Sequence, residues 1–410
     1  MAGCPYDLSD PELYQSGHPR EAYTYLRQQE PVSWQQNPTQ SEGFWAITRH
    51  EDLDFVSKNP LLFSSEEKSC ILSESDEERL VFLRMQMINM DPPHHLKYRR
   101  LVRNAFTPKA VDSYRQRFEE VARDILDRAT EGGSCEFVED VASELPLIAI
   151  CELMGVPLDK RKRLFELTNI MIGMDDPELS TSEEDGTNAM IEMFMLAQEM
   201  AADHRANPKD DIVNVLLNGT VEDEPLTDDE FCNFFLLLMV AGNETTRTVT
   251  THGMRLLMEH DQYTRLQENP DLLEGAIEEF LRYNPAVIAF RRTAMEDVEV
   301  GGQLIKKGDR VQMYYGAASS DESVFSDGDV FDIGRQQRED VRNNHRAFGI
   351  GEHFCMGSHL ARLELEIIFR EILSRIHNPR FDGKVNWLRS NFINGIKSMP
   401  IAFDAEPATN

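Results

Sequence analysis

The chain predicts a mainly α fold with a small β-rich region, and three observations carry that expectation. Apolar residues recur at helical spacing through most of residues 94 to 283, with no repeat or low-complexity linker between the runs. The stretch from Phe231 to about Glu259 contains no proline and follows Thr227-Asp228-Asp229-Glu230, a capping-box pattern. It reads as one helix of roughly 45 Å at ~1.5 Å per residue, long enough to cross a whole domain. Strand-like alternation is confined to two places, around 31–60 and 290–320.

Taken in order, Pro31-Val32-Ser33-Trp34 and Gly43-Phe44-Trp45-Ala46-Ile47-Thr48 read as short strands. Glu66 to Glu78 is acidic and serine-rich and reads as a loop. Within the helical stretch, Asp175 to Gly186 is an acidic break between two Met-rich helical patterns. Glu279-Phe280-Leu281-Arg282 sits on a helix that must end near Asn284-Pro285, because the residue before proline is pushed out of helical geometry. Val298 to Ile305 and Lys307 to Met313 carry the Gly turns of a small sheet. A last helix is expected around 356–378, with Leu360, Leu363 and Ile367 on its apolar face.

At 410 residues, 41% hydrophobic and 28% charged, the chain can bury a core large enough for one big domain or two smaller ones. A formal charge of −30 argues against nucleic acid or an anionic membrane as partner. The first residues show neither a basic n-region nor an apolar run, and no later stretch has spanning length. The six cysteines lack framework spacing, which suits a reducing cytoplasm.

One cysteine stands apart. Cys355 lies in Phe348-Gly349-Ile350-Gly351-Glu352-His353-Phe354-Cys355-Met356-Gly357, caged by glycines at fixed offsets. A lone cysteine usually just packs, but this window has what a heme-thiolate ligand needs. Gly349, Gly351 and Gly357 let the backbone turn tightly and approach a flat ligand. The helix that follows puts Cys355 near a positive helix terminus, expected to lower its pKa. Iron–sulfur and zinc sites want several thiolates, and the chain has no CxxC.

The window FGxGxHxCxG resembles the heme loop of the cytochrome P-450 monooxygenases, and matches elsewhere extend the resemblance over about 31 to 400. It implies a cytochrome P-450 fold as a single heme domain over 1–410, with a long central helix over the heme and Cys355 as ligand to iron in heme b (iron protoporphyrin IX). Ala241-Gly242-Asn243-Glu244-Thr245-Thr246 resembles the oxygen-binding segment, although singly such residues mark a kink or a surface. Ala241 and Gly242 would leave room for O2. Thr245 would bend the helix by competing for a carbonyl, and with Glu244 would relay the protons that O–O cleavage needs.

Glu279 and Arg282 look like the family's ExxR pair, with Arg335 as third member, in a structural role; alone, such a pair is usually a surface salt bridge. His95 and Arg99 fit the HxxxR that holds heme propionates, and Arg292 and His353 fit further clamps. His95 is chosen over His94 because only His95 stands four residues before Arg99.

The resemblance further implies electrons from a ferredoxin and its reductase, since no flavin or dinucleotide fingerprint is present. Lys97, Arg99, Arg100, Arg103 and Lys109 form a basic stretch suited to an acidic ferredoxin, or simply a solvated helix face. The expected activity is hydroxylation of an apolar molecule, resembling members that act on terpenoids, sterol side chains or branched lipids. Candidate pocket walls are Met85, Met87, Ile88, Met171, Met174, Leu237, Leu238, Ala241, Val287, Ile288, Phe290, Phe392 and Ile393, many of them core residues by default. A peroxide-driven peroxygenase and a non-catalytic heme sensor are the alternatives. The first tends to lack the acid–threonine pair, and the second needs an output domain.

Overall fold

The computed structural model describes residues 5–36, 42–72, 76–173, 175–180, 182–209 and 211–405. The chain opens with α1 (Arg20–Gln29), β1 (Val32–Gln35), β2 (Phe44–Ile47), α2 (His50–Lys58) and β3 (Phe63–Ser64). The expected β-rich stretch 31–60 therefore closes on a helix. Leu53 and Val56, three apart, bury against the sheet, and Glu51 and Asp52 favour the helix start.

Next come α3 (Glu77–Arg84), α4 (His94–Val102), α5 (Pro108–Asp112), α6 (Arg115–Ala129), β4 (Ser134–Glu136), α7 (Glu144–Leu153) and α8 (Arg161–Ile172). The loop expected to run to Glu78 ends earlier, because the Asp76 side chain accepts from Arg79 N at 2.8 Å and caps α3. Its residues 73–75 lie outside the described residues. α8 is followed by α9 (Glu183–Ala206), α10 (Ile212–Leu217), a hairpin of β5 (Thr220–Val221) and β6 (Glu224–Pro225), α11 (Asp228–Glu259), α12 (Tyr263–Glu268) and α13 (Leu273–Tyr283). The acidic break is shorter than expected, since a capping box between Ser182 and Asp185 makes Glu184, Asp185 and Gly186 part of α9.

The last part holds β7 (Ala289–Ala294), β8 (Val298–Val300), β9 (Gln303–Ile305), β10 (Arg310–Tyr314), α14 (Tyr315–Ala318), α15 (Val341–Asn344), α16 (Ser358–Arg375), β11 (Ile376–Phe381), β12 (Asn386–Trp387), β13 (Ile396–Ser398) and β14 (Pro400–Ala405). The final helix stops at Arg375, short of 378, because Ile376 and His377 pair with β14. The main sheet runs β1-β2-β10-β7-β3, antiparallel except for the β10–β2 pair.

The long helix forms as its capping box directs. Thr227 Oγ1 accepts from Glu230 N at 3.2 Å and the Glu230 carboxylate accepts from Thr227 N at 2.7 Å. α11 then runs 32 residues through the main core, against α7, α9, α13 and α16. Such a helix must be apolar or satisfied nearly all round. Gly253 is what lets α13 and α16 close on it, for a Cβ there would lie 2.6 Å from Phe369 Cζ and 2.8 Å from Phe280 Cδ2.

Candidate active site

The cysteine loop is closed by its own backbone. Gly349 N donates to Arg346 O at 2.9 Å, Cys355 N to Phe348 O at 2.8 Å and Phe354 N to Gly351 O at 3.1 Å. Gly349 and Gly351 take φ of +68° and +76°, where side-chain-bearing residues are strained, and a Cβ on Gly351 would also sit 2.7 Å from Ser57 O. Gly357 lies beside the sulfur, a Cβ there being 4.0 Å from Cys355 Sγ.

Burial raises the Cys355 thiol pKa, against the lowering pull of Gly357 N–H and of Arg99 and Arg362. The helix terminus therefore does not by itself produce the expected thiolate. Coordination to a metal would, since it removes a thiol's proton outright.

Four nitrogen-bearing side chains from three segments gather beside this loop. The rings of His95, on α4, and His353 stack at 4.0 Å, while His94 points out and packs on Tyr98. Arg99, one turn beyond His95, donates to Phe354 O at 2.6 Å and ties α4 to the cysteine loop. Arg292, on β7, is buried and donates to Arg291 O at 2.7 Å. Burial, then Arg99 and Arg292, lower His95 to about 4, and burial with Arg292, His95 and Arg99 pushes His353 well down. His95 Nδ1 is buried without a partner, and no carboxylate pairs with Arg99 or Arg292 among the described residues. Two arginines and two imidazoles without an acid fit a ligand that brings its own two carboxylates, as heme b does.

On α11, every residue from Phe231 to Leu257 is buried except Leu237, Val240, Ala241, Gly242 and Thr245. Leu237, Ala241 and Thr245 are spaced by four and form one open stripe. Thr245 Oγ1 donates to Ala241 O at 2.8 Å, the competition for a carbonyl that its position suggests, yet α11 continues unbroken. Gly242 is a correction. A Cβ there would meet Ile150 Cδ1 at 3.0 Å, so its smallness serves the contact with α7 rather than space for O2.

Glu244 is fully buried and ion-paired with Arg247, not bonded to Thr245. Burial raises its pKa, and Arg247 opposes that. Arg247 is a residue that sequence reading missed. An acid three residues before an arginine was the available signal.

Glu279, Arg282 and Arg335 meet as expected, all essentially inaccessible. Arg282 Nε lies 2.7 Å from Glu279 Oε2, and its Nη1 donates to Ser319 O and Gly328 O at 2.9 and 2.7 Å. The triad thus fastens the 319–335 segment. The cysteine loop is held instead by a second triad that the sequence did not disclose. Glu278 binds His345 Nε2 at 3.0 Å and Arg362 Nε at 2.7 Å, and the Arg362 guanidinium lies 4.6 Å from the Phe348 ring centre.

The pocket candidates divide. Met85, Ile88, Met171, Leu237, Ala241, Val287, Phe290 and Phe392 are open or half-buried, with Phe290 and Phe392 in edge contact at 5.6 Å. Met87 and Leu238 belong to the main core, Leu238 because it lies one residue round α11 from the stripe. Ile288 faces the opposite side from Val287, into a cluster with Tyr23 and Tyr314, as strand alternation requires. Ile393 is buried by its bridge to Val287. Met174 lies outside the described residues. The basic stretch is partly spent, since Lys97 pairs with Glu222 and Arg99 turns inward, leaving Arg100, Arg103 and Lys109 exposed.

The chain is similar to known proteins over nearly its whole length. The family model described as Cytochrome P450 matches residues 159–378. A steroid C26-monooxygenase of Rhodococcus jostii (strain RHA1) is 38% identical, over 97% of this chain and 84% of its own. A linalool 8-monooxygenase of Pseudomonas putida is 36% identical, over 96% and 98%. Among solved structures, a Mycobacterium marinum cytochrome P450 in complex with pseudoionone superposes with a TM-score of 0.88, at 33% identity, covering 98% of this chain and 100% of that one. The chain belongs to the cytochrome P450 family. It is an oxygen-incorporating oxidoreductase that uses heme b, and among the described residues no helix is long and apolar enough to cross a membrane.

Proposed function

We propose that Cys355 is the protein ligand to the heme iron and that the enzyme hydroxylates a terpenoid, sterol side chain or branched lipid, with electrons from a separate ferredoxin and its reductase. The observation that carries this reading is the glycine-caged Cys355 beside His95, Arg99, Arg292 and His353, a cationic group without an acid of its own. The four hold the two heme propionates. Bound heme supplies the iron centre that activates O2, with electron density pushed from the thiolate.

The chain's residues do the rest. Ala241 gives space on the open stripe of α11, and Leu237, Val287, Phe290 and Phe392 wall an apolar substrate and exclude water. Glu244, buried against Arg247, and the Thr245 hydroxyl pass protons toward the oxygen. Arg100, Arg103 and Lys109 present positive charge on an otherwise acidic protein, which suits an acidic ferredoxin. The named substrates of the two relatives, a steroid and linalool, support the substrate class.

Two optical measurements test the proposal. The reduced carbon monoxide complex of the wild type should carry the red-shifted Soret band of thiolate ligation, and Cys355→His should lose it while still binding heme. Retention of the band would sink the ligand assignment. Titration of the ferric protein with steroids, monoterpenoids and branched fatty acids should shift the Soret band. A response only to small polar or charged ligands would overturn the substrate class.

A further inference from the structure

Phe392 sits between β12 and β13, in a turn gripped from two sides. On the side of the chain that leads into β7, Ile288 N donates to Phe392 O and Asn394 N to Ala286 O, both at 2.8 Å, and Val287 bridges Ile393. Within the turn, Ser390 Oγ accepts from Phe392 N at 3.0 Å and from Ile393 N at 3.1 Å. Asn391 Nδ2 donates to Ser9 O at 2.7 Å. The other side of the turn meets the segment 175–180 that follows α8, and there the buried side chain of Asp176 makes the join.

Asp176 Oδ2 accepts from Arg389 N at 3.0 Å and from Lys397 Nζ at 2.8 Å, while its Oδ1 accepts from Glu178 N at 3.0 Å and braces its own loop. Arg389 reaches back, its Nη1 donating to Asp175 O at 2.7 Å and its Nε to Glu12 Oε1 at 2.5 Å. Lys397 also pairs with Glu178 at 2.5 Å. Burial disfavours the charged form of Asp176, but Lys397 and the N–H groups of Arg389 and Glu178 outweigh it and leave its pKa lowered, so the carboxylate is ionised at neutral pH. Beside this cluster lies a cavity of about 210 Å³, lined by Gly173 and Leu179 from one segment and by Leu388 and Ile396 from the other. Charged bonds rather than side-chain packing therefore fasten the two segments there.

We propose that Asp176 is a positioning residue that fastens the turn carrying Phe392 to the segment after α8, so that this pocket wall is in place only while that segment is seated. When Asp176 lets go, Arg389 N loses its acceptor and the turn keeps only its bonds to 286–288 and to Ser9. The Phe392 ring is then free to leave its edge contact with Phe290. Both the passage of an apolar ligand and its selection by shape come to depend on one ionic contact outside the cysteine loop. This rests on the reading of Phe392 as a wall of the substrate pocket.

The test uses the heme-loaded full chain and two probes that bind ferric heme, imidazole and 4-phenylimidazole, followed by their Soret shifts at equilibrium and in stopped flow. Amide hydrogen exchange of the turn is read on the same protein. A bond to a charged acceptor protects its donor by about ten- to a hundredfold, and in Asp176→Ala the amides of 388–394 should exchange faster by that factor. 4-Phenylimidazole should bind and leave several-fold faster, and its preference over imidazole should fall several-fold, because imidazole is too small to meet Phe392. Lys397→Met removes the side-chain donor and spares the backbone bonds. It should move every readout the same way by a smaller factor, and it keeps the test open if the alanine variant does not fold.

Unchanged exchange at 388–394 in both variants would overturn the proposal. So would faster exchange with unaltered probe rates and preference, which is what a merely structural bond would give. Phe392→Ala, run alongside, separates the two claims. If it leaves the preference for 4-phenylimidazole intact, the pocket reading itself is wrong. If it lowers the preference while the Asp176 and Lys397 variants do not, only the fastening fails.

Discussion

Arg291 and Arg292 are adjacent, both buried, and do opposite things. Arg291 donates to the carbonyls of Ser69 and Leu72, each at 3.2 Å, and pins the 68–72 segment to the sheet. Arg292, one residue on, faces the other side of β7, beside His95 and His353, with no carboxylate among the described residues to pair with it. A charged donor lost from a charged partner costs on the order of 1.5–3 kcal/mol. Arg292→Leu should therefore speed heme transfer to apomyoglobin by roughly ten- to a hundredfold. An unchanged rate would remove Arg292 from the propionate site. On α4 a turn of about 100° per residue separates His95, stacked inside on His353, from His94 outside, so a shift of one residue changes which imidazole enters the site.

Gly253 belongs to the scale of helices. In the middle of α11 it is unfavourable by about 1 kcal/mol against alanine on propensity alone. Its Cβ position is already filled by the rings of Phe369 and Phe280, which are fully buried and cannot swing away. Overpacking a tight core typically costs about 1–3 kcal/mol. Gly253→Ala should thus lower the thermal midpoint despite the better helix former, and a raised midpoint would show that α16 and α13 can retreat. The capping box of α11 was legible because it is local, the four residues Thr227 to Glu230 of one turn. The contacts of Gly253 and Gly242 were not, because their partners lie on other helices, Phe280 and Phe369 on α13 and α16 and Ile150 on α7.

At the scale of the molecule, the surroundings of the cysteine loop are held by charge. Burial alone would raise the pKa of Glu278, but hydrogen bonds from His345 and Arg362 bring it down from 4.5 to about 2. A carboxylate depressed on folding adds stability that is complete above its unfolded pKa and is lost as pH falls from about 4.5 toward 2. Burial lowers His345 as well, which pushes in the same acid-labile direction. Heme release should accelerate over that window, and Glu278→Gln should flatten the dependence while lowering stability at neutral pH. An identical acid profile in the variant would move the weak point elsewhere.

The sequence by itself determined the heme-thiolate class, the long capped helix and the identities of the residues about the cysteine, because these are short patterns whose chemistry depends on spacing within one turn or loop. It determined Glu279, Arg282 and Arg335 as a set, but not that Glu278, next door, is the acid that grips the cysteine loop through His345 and Arg362. Only the tertiary structure decided which of Val287, Ile288, Leu237 and Leu238 face the open side, and that Glu244 turns to Arg247 rather than Thr245. Those choices rest on which distant element fills each neighbouring space, α7 against Gly242 and α8 against Arg247. No periodicity along one chain segment contains that information.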